Sequence, residues 1–94
     1  MPRTIEWTTA FKRDRKRELK GQYGKTLETM LTPILESLVA DKPLAFRYRD
    51  HDMHGDWVDH RNCHVRPDLV LLYRKQGDDV LQLVRLGSHS ELGI

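Results

Sequence analysis

The sequence contains a single cysteine, Cys63, and lacks the features that would place it outside a reducing compartment. One cysteine cannot form an internal disulfide, so a cytoplasmic location is the simplest expectation. No apolar run approaches the ~20 residues that a membrane helix needs, and the N-terminus has no apolar segment of the kind found in signal peptides. We find no internal repeat and no low-complexity stretch. These absences favour one small globular domain over a secreted, membrane-spanning or repetitive protein.

Charge is nearly balanced over the 94 residues, with a formal net charge of +2, but it is unevenly distributed. A chain of this length is expected to form one domain, residues 1–94. Basic side chains crowd residues 12–25, where Arg13, Lys16 and Arg17 lie close together in sequence. Such a cluster predicts an anionic partner on one face of the protein. A solvated helix face is the alternative explanation for the same run.

Hydrophobic periodicity predicts an α+β domain. Leu27, Leu31, Ile34 and Leu38 recur at helical spacing, which indicates that one face of a helix packs on the core. The uninterrupted apolar run 69–73 predicts a central strand that is buried on both faces. The predicted order is a strand (4–8), two helices (10–20 and 25–40) on one face of the sheet, an irregular connection (43–56), a three-stranded antiparallel meander (57–65, 68–75 and 80–86) and a final helical turn (90–94).

Histidines are the unusual feature of the sequence. Four of the five lie between residues 51 and 64, and His89 follows the last predicted strand, four residues after Arg85. Pro67 has a fixed φ that suits a tight turn, so His64 and Asp68 are expected to be held rigidly between two strands. Imidazoles titrate near neutral pH and can both take and give protons. We therefore expect histidines, an aspartate and an arginine around one concavity.

Three explanations fit this set of residues. The first is zinc binding, since the spacings His60-x2-Cys63-His64 and His51-x2-His54 could both ligate the metal. A lone cysteine is a weak signal, however, and strand alternation sends Cys63 and His64 to opposite faces. The second is RNA cleavage without a metal, in which a base activates the ribose 2′-hydroxyl, an acid protonates the leaving oxygen and an arginine stabilises the anionic transition state. The third is that these are ordinary surface histidines. We expect neither a metal nor another cofactor.

A combination of short motifs extends from about residue 46 to the C-terminus. The motifs are Asp50-His51, Gly55-x-Trp57, Arg61, His64-Val65-x-Pro67-Asp68, Leu71-x-Tyr73 and Arg85-x-Gly87-x-His89. This combination resembles the YafQ branch of the RelE/ParE toxin superfamily, and the strand–helix–helix beginning of the chain agrees in layout. The chain departs from the family at its end, where Leu92-Gly93-Ile94 replaces a segment that carries an aromatic residue.

The resemblance implies a toxin that cleaves mRNA in the ribosome and is neutralised by a cognate antitoxin. Its implied partners are the antitoxin, the ribosome and mRNA, with DNA met only indirectly through the antitoxin complex. The ParE branch, which targets DNA gyrase, has the same fold without this histidine set, so a non-catalytic inhibitor of gyrase or another protein is the alternative. The implied catalytic residues are His51, His64, Asp68, Arg85 and His89, and the residues expected to bind RNA or the ribosome are Arg13, Lys16, Arg17, Arg61 and Arg66.

Overall fold

The computed structural model describes residues 2–94 and confirms the α+β class. Two longer helices follow the first strand, and the remaining strands come after them. No helix in this described part is long and apolar enough to cross a lipid bilayer. The elements are β1 (Thr4–Trp7), α1 (Thr9–Leu19), α2 (Leu27–Val39), β2 (His51–Asp52), β3 (Arg61–Arg66), β4 (Leu69–Gln76), β5 (Val80–Gly87) and α3 (His89–Leu92), with short 3₁₀ turns at Phe46–Tyr48 and Gly55–Trp57.

The described strands form one mixed sheet with the order β1-β5-β4-β3-β2. β1 runs parallel to β5, whereas every other neighbouring pair is antiparallel. β4 lies at the centre, and its first five residues are buried, as the continuous apolar run predicts. β1 and β2 are the two edge strands, and β2 is only two residues long.

The two faces of the sheet are covered differently. α1 and α2 pack on one face, where Phe11, Leu31 and Ile34 meet the buried side chains Leu71 and Leu83. A smaller apolar cluster lies on the other face. The short helix α3 contributes to it, since Leu92 packs with Val70 and Leu72. Because this second face carries little helical cover, much of it is left for a functional site.

The structure of residues 43–65 differs from the prediction in two respects. The strand predicted over 57–65 begins only at Arg61, because Gly55–Trp57 forms a 3₁₀ turn and Asp59 adopts a left-handed backbone with φ of 71°. The connection predicted to be irregular over 43–56 contains β2, which pairs with the start of β3. The sheet therefore gains an edge strand that the sequence did not predict.

The C-terminal helix begins one residue earlier than predicted. Ser88 caps it, since its hydroxyl accepts a hydrogen bond from the Glu91 N–H at 3.0 Å, and the Glu91 carboxylate accepts one from the Ser88 N–H at 2.9 Å. This reciprocal cap makes His89 the first residue of α3.

Candidate active site

Three histidines from three elements lie side by side on the less covered face of the sheet. His64 of β3 pairs with Val70 of β4 and so shares its face, whereas its neighbour Cys63 is buried under the helices. The ring centroids of His64 and His89 are 5.1 Å apart, and those of His51 and His64 are 6.3 Å apart. His64 thus stands in the middle of a row, which we call the histidine row.

Asp68 orients His89 at one end of this row. One carboxylate oxygen of Asp68 lies 2.7 Å from Nδ1 of His89 and accepts a hydrogen bond from the His89 backbone N–H at 3.1 Å. These bonds from His89 hold the pKa of Asp68 below its usual value. An ionised carboxylate only accepts hydrogen bonds, so Nδ1 of His89 is the donor. Nε2 is then the ring nitrogen that is left to exchange a proton.

His51 is oriented at the other end by a backbone carbonyl. Arg49 has a left-handed backbone with φ of 49°, and its carbonyl oxygen lies 2.6 Å from Nδ1 of His51. A carbonyl can only accept a hydrogen bond, so Nδ1 of the ring must be the donor. In the neutral ring Nε2 then carries the lone pair, which is the form that accepts a proton.

The environment of His64 disfavours the protonated form of its ring. Burial, together with the positive potential of His89, His51 and Arg49, lowers the pKa of His64, and Asp68 opposes this only in part. His64 is therefore neutral at physiological pH. A neutral imidazole at the centre of the row can donate one hydrogen bond to an oxygen of an anion that lies across it.

Arg85 is turned towards α1 and not towards Asp68. Its Nε donates to Asp14 at 2.6 Å and its Nη2 at 3.2 Å, and the backbone N–H of Leu86 donates to the same carboxylate at 3.0 Å. Burial alone would raise the pKa of Asp14, but these bonds and the charges of Arg85 and Arg17 lower it. Asp14 is only 3% exposed, and through these bonds its carboxylate joins α1 to the C-terminal end of β5.

The five residues expected to bind RNA fall into two groups. Arg13 and Lys16 on α1 and Arg66 at the end of β3 are exposed. Arg17 instead bonds Asp14, Glu91 and the Leu86 carbonyl, and Arg61 bonds Asp50 and Asp52. Arg61 was expected to bind RNA, but in the structure it pairs with the two aspartates that flank His51.

Two depressions adjoin the histidine row. One has a volume of about 660 Å³ and holds Arg47, Arg49 and Arg66 with His64, and it has no carboxylate in its lining. The other, of about 300 Å³, lies beside His51 and His89 and includes Asn62. The larger depression is suited to an anionic chain that ends at the row, because three arginines line it.

Cys63 is buried away from the histidines with which it could have bound zinc. Burial and the nearby Asp50 charge raise the pKa of Cys63 to about 12, and its side chain lies on the opposite face from His64. Across residues 2–94, no three His, Cys, Asp or Glu side chains are grouped so that they could hold a metal ion. The spacing of His60, Cys63 and His64 in the sequence therefore does not become a ligand set in the fold.

The sequence did not identify three residues that shape this site. The role of Arg49 could not be predicted because it depends on a left-handed backbone. The role of Asp50 could not be predicted because its partners, Arg61 and Tyr73, lie on β3 and β4. Asp14 left a usable signal, since it lies three residues after the buried Phe11 and so faces the core from the same side of α1. At the C-terminus, Leu92 and Ile94 fill the small apolar cluster and offer no aromatic surface.

Comparison with known proteins gives the family. A family profile described as "bacterial toxin of type II toxin-antitoxin system, YafQ" matches residues 3–93. The match places the chain among the toxins of type II toxin–antitoxin systems. Within that class it belongs to the YafQ family, as the sequence motifs predicted.

Relatives agree over nearly the whole chain. The mRNA interferase toxin YafQ of Escherichia coli (strain K12) is 32% identical over 91 residues, which cover 96% of this chain and 95% of that protein. YafQ in the crystal structure of the E. coli DinJ–YafQ toxin–antitoxin complex superimposes with a TM-score of 0.78 at 30% identity, over 98% of each chain. A copper-bound mutant of a toxin from Helicobacter pylori superimposes with a TM-score of 0.84 at 32% identity, over 98% of this chain and 99% of that one.

Proposed function

We propose that this protein is an endoribonuclease toxin that cleaves mRNA on the ribosome in the cytoplasm and is neutralised by a cognate antitoxin. The observation that carries the proposal is the histidine row, with His51 and His89 each fixed through Nδ1. The names of the E. coli relatives, which are mRNA interferases, support the reaction class. The DinJ–YafQ complex supports an antitoxin partner, through which any contact with DNA would be indirect.

The order of the row favours one assignment of proton roles. In phosphoryl transfer the attacking and leaving oxygens lie on opposite sides of the phosphorus, so the base and the acid must flank it. His51 and His89 stand at the two ends, with His64 between them. His51, with its lone pair on Nε2, takes the proton of the ribose 2′-hydroxyl. His89, oriented by Asp68, acts in its doubly protonated form and gives the Nε2 proton to the leaving 5′-oxygen.

Charge stabilisation at the phosphate falls to the groups beside the row. The 2′-oxygen forms a bond to phosphorus as the bond to the 5′-oxygen breaks, which leaves a 2′,3′-cyclic phosphate and a 5′-hydroxyl. Neutral His64 donates to a non-bridging oxygen of the pentavalent anion. Asp14 engages Nε and Nη2 of Arg85, so Nη1 is the nitrogen with which Arg85 would meet this anion.

RNA binding is assigned to the exposed cations. Arg66, with Arg47 and Arg49, lines the larger depression that ends at His64. Arg13 and Lys16 are exposed on α1 and would meet ribosomal RNA. Arg17 has a side chain that is 41% exposed but engaged by carboxylates, so it contributes less to this surface.

The experiment incubates the purified chain with mRNA bound in ribosomes and with the same mRNA alone, and maps the cut sites by primer extension. We expect cuts only in the ribosome-bound mRNA, and none with the double variant His51→Gln/His89→Gln. The matched control is His60→Gln, which changes a histidine outside the row. Inhibition of gyrase supercoiling without any cut would contradict the proposal and favour a ParE-like inhibitor.

A further inference from the structure

Arg61 forms a side-chain clip around the segment that carries His51. Its Nε and Nη2 donate to the two carboxylate oxygens of Asp50 at 3.3 and 3.1 Å, and its Nη1 donates to Asp52. Asp50 and Asp52 are the residues immediately before and after His51. One guanidinium group therefore holds both neighbours of a proposed catalytic histidine.

The clip is needed because β2 has little backbone pairing of its own. β2 is an edge strand of two residues, in which His51 pairs with Asn62 and Asp52 with Arg61. Strands this short supply few ladder hydrogen bonds to fix a side chain. The Tyr73 hydroxyl adds a further hydrogen bond to Asp50, and Tyr73 is only 1% exposed, so the clip is anchored in the core.

Arg61 also lies on the wrong face of the sheet to meet the scissile phosphate. It alternates along β3 with Asn62 and pairs with Tyr73, which belongs to the core under α1 and α2. His64 and His89 are on the other face, beside Val70 and Leu72. Burial opposes the charge of Arg61, but the hydrogen bonds and charge of Asp50 raise its pKa, so the guanidinium stays cationic and paired.

We propose that Arg61 is a positioning residue, which fixes the place and tautomer of His51 and does not bind RNA. The inference rests on the proposed function only for its effect on cleavage. Arg61 holds Asp50 and Asp52, and these two contacts fix the backbone of residues 49–51. In that position the Arg49 carbonyl keeps the proton of His51 on Nδ1. Without the clip His51 is free to turn and to adopt the Nε2–H tautomer that free histidine prefers.

The decisive variant is Arg61→Lys, because an ammonium keeps the charge but cannot bridge both carboxylates as a planar fork does. We expect the single-turnover rate at saturating ribosomes to fall on the order of 10- to 100-fold, since small misplacement of a reacting group has effects of this size. The ribosome concentration for half-saturation should not change. The matched control, Arg74→Lys, changes an arginine of the neighbouring strand β4 and should leave the rate at saturation unchanged.

A second readout does not depend on activity. The ¹⁵N chemical shifts of the His51 ring report its tautomer, which we expect to be Nδ1–H in the parent and in Arg74→Lys but largely Nε2–H in Arg61→Lys. If Arg61→Lys does not fold, Asp52→Asn replaces it as the test variant. The Asp52 side chain is 72% exposed, so the protein should still fold, and removal of its charge weakens one of the two contacts of the clip. Thermal unfolding of each sample separates positioning from stability.

The outcomes are distinct. A slower rate with unchanged half-saturation and a changed tautomer supports the proposal. An unchanged rate with weaker ribosome binding would assign Arg61 to RNA and overturn it, as would an unchanged His51 tautomer in both variants. If the parent protein cleaves no mRNA, the proposed function fails, and the tautomer measurement still decides whether Arg61 positions His51.

Discussion

One oxygen of Asp68 accepts two hydrogen bonds from His89, one from the backbone N–H at 3.1 Å and one from Nδ1 at 2.7 Å. Asp68 lies in the turn between β3 and β4, and His89 begins α3, which is 21 residues further along the chain. The backbone bond fixes the start of the helix, and the side-chain bond fixes the ring. A single carboxylate thus sets both the position and the tautomer of His89.

Asp68→Asn should remove most of the cleavage activity and little of the stability. An amide that presents its NH₂ group to Nδ1 favours the wrong tautomer of His89, so we expect the single-turnover rate to fall on the order of 100-fold or more. The Asp68 side chain is 66% exposed, so the free energy of unfolding should change little. Asp78→Asn, an exposed turn residue, is the control. A normal rate in Asp68→Asn would mean that His89 needs no carboxylate.

His64 should titrate below the ordinary histidine pKa of 6.5 in an NMR pH titration. Protonating it would place its charge in a partly buried site among His89, His51 and Arg49, which burial and charge repulsion both oppose. His89→Gln removes one of the neighbours that lower the pKa of His64 and leaves Asp68, which raises it, so the pKa of His64 should rise in that variant. His60→Gln should leave the His64 titration unchanged. A parent value at or above 6.5 would contradict the electrostatic account.

The exposed cations of α1 should control ribosome affinity. In Arg13→Gln/Lys16→Gln we expect the slope of log affinity against log salt to fall by about one unit for each RNA phosphate that the variant no longer neutralises. Stability should not change, because both side chains are exposed. Arg17→Gln should instead lower the unfolding midpoint, since Arg17 bonds Asp14 and the Leu86 carbonyl. Unchanged binding across a salt series in the double variant would show that this run is a solvated helix face.

Asp14→Asn tests the joint between α1 and β5. The pKa of Asp14 is lower in the folded protein than its ordinary 3.8, so its contribution to stability is complete above pH 3.8 and is lost as the pH falls through the folded value. At pH 7 the variant should be less stable by ~3 kcal/mol, because Arg85 loses its buried partner. Urea unfolding from pH 7 downwards should show the two stability curves converging below pH 3.8. A gap that stays constant with pH would show that the charge of Asp14 is unimportant.

The sequence predicted the fold well where one local pattern determines an element. The helical spacing of Leu27, Leu31, Ile34 and Leu38 located α2, and the apolar run 69–73 located the central strand. β2 was missed because two polar residues show no periodicity, and its pairing depends on β3. The parallel pairing of β1 with β5 joins segments more than 70 residues apart, which no local pattern specifies.

The sequence named most of the residues that the structure brings together, but not the contacts that hold them. His51, His64, Asp68 and His89 were named from the sequence, and the structure brings them together. The partners of Arg85 and Arg61 could not be read from spacing, because Asp14 reaches β5 from another layer and Asp50 reaches Arg61 from the position just before β2. Charged side chains choose partners by three-dimensional proximity, whereas apolar periodicity reports only which face is buried.

The chemical nature of the cut ends tests the central claim most directly. Cleavage by the histidine row should leave a 2′,3′-cyclic phosphate on one fragment and a 5′-hydroxyl on the other, because the ribose 2′-oxygen is the nucleophile. The measurement treats the protein with excess EDTA, restores only the magnesium that ribosomes require, and analyses the ends of cleaved ribosome-bound mRNA by mass spectrometry. We predict these ends, at an undiminished rate. Ends with a 3′-hydroxyl and a 5′-phosphate, or cleavage that returns only when zinc or copper is added, would contradict the account.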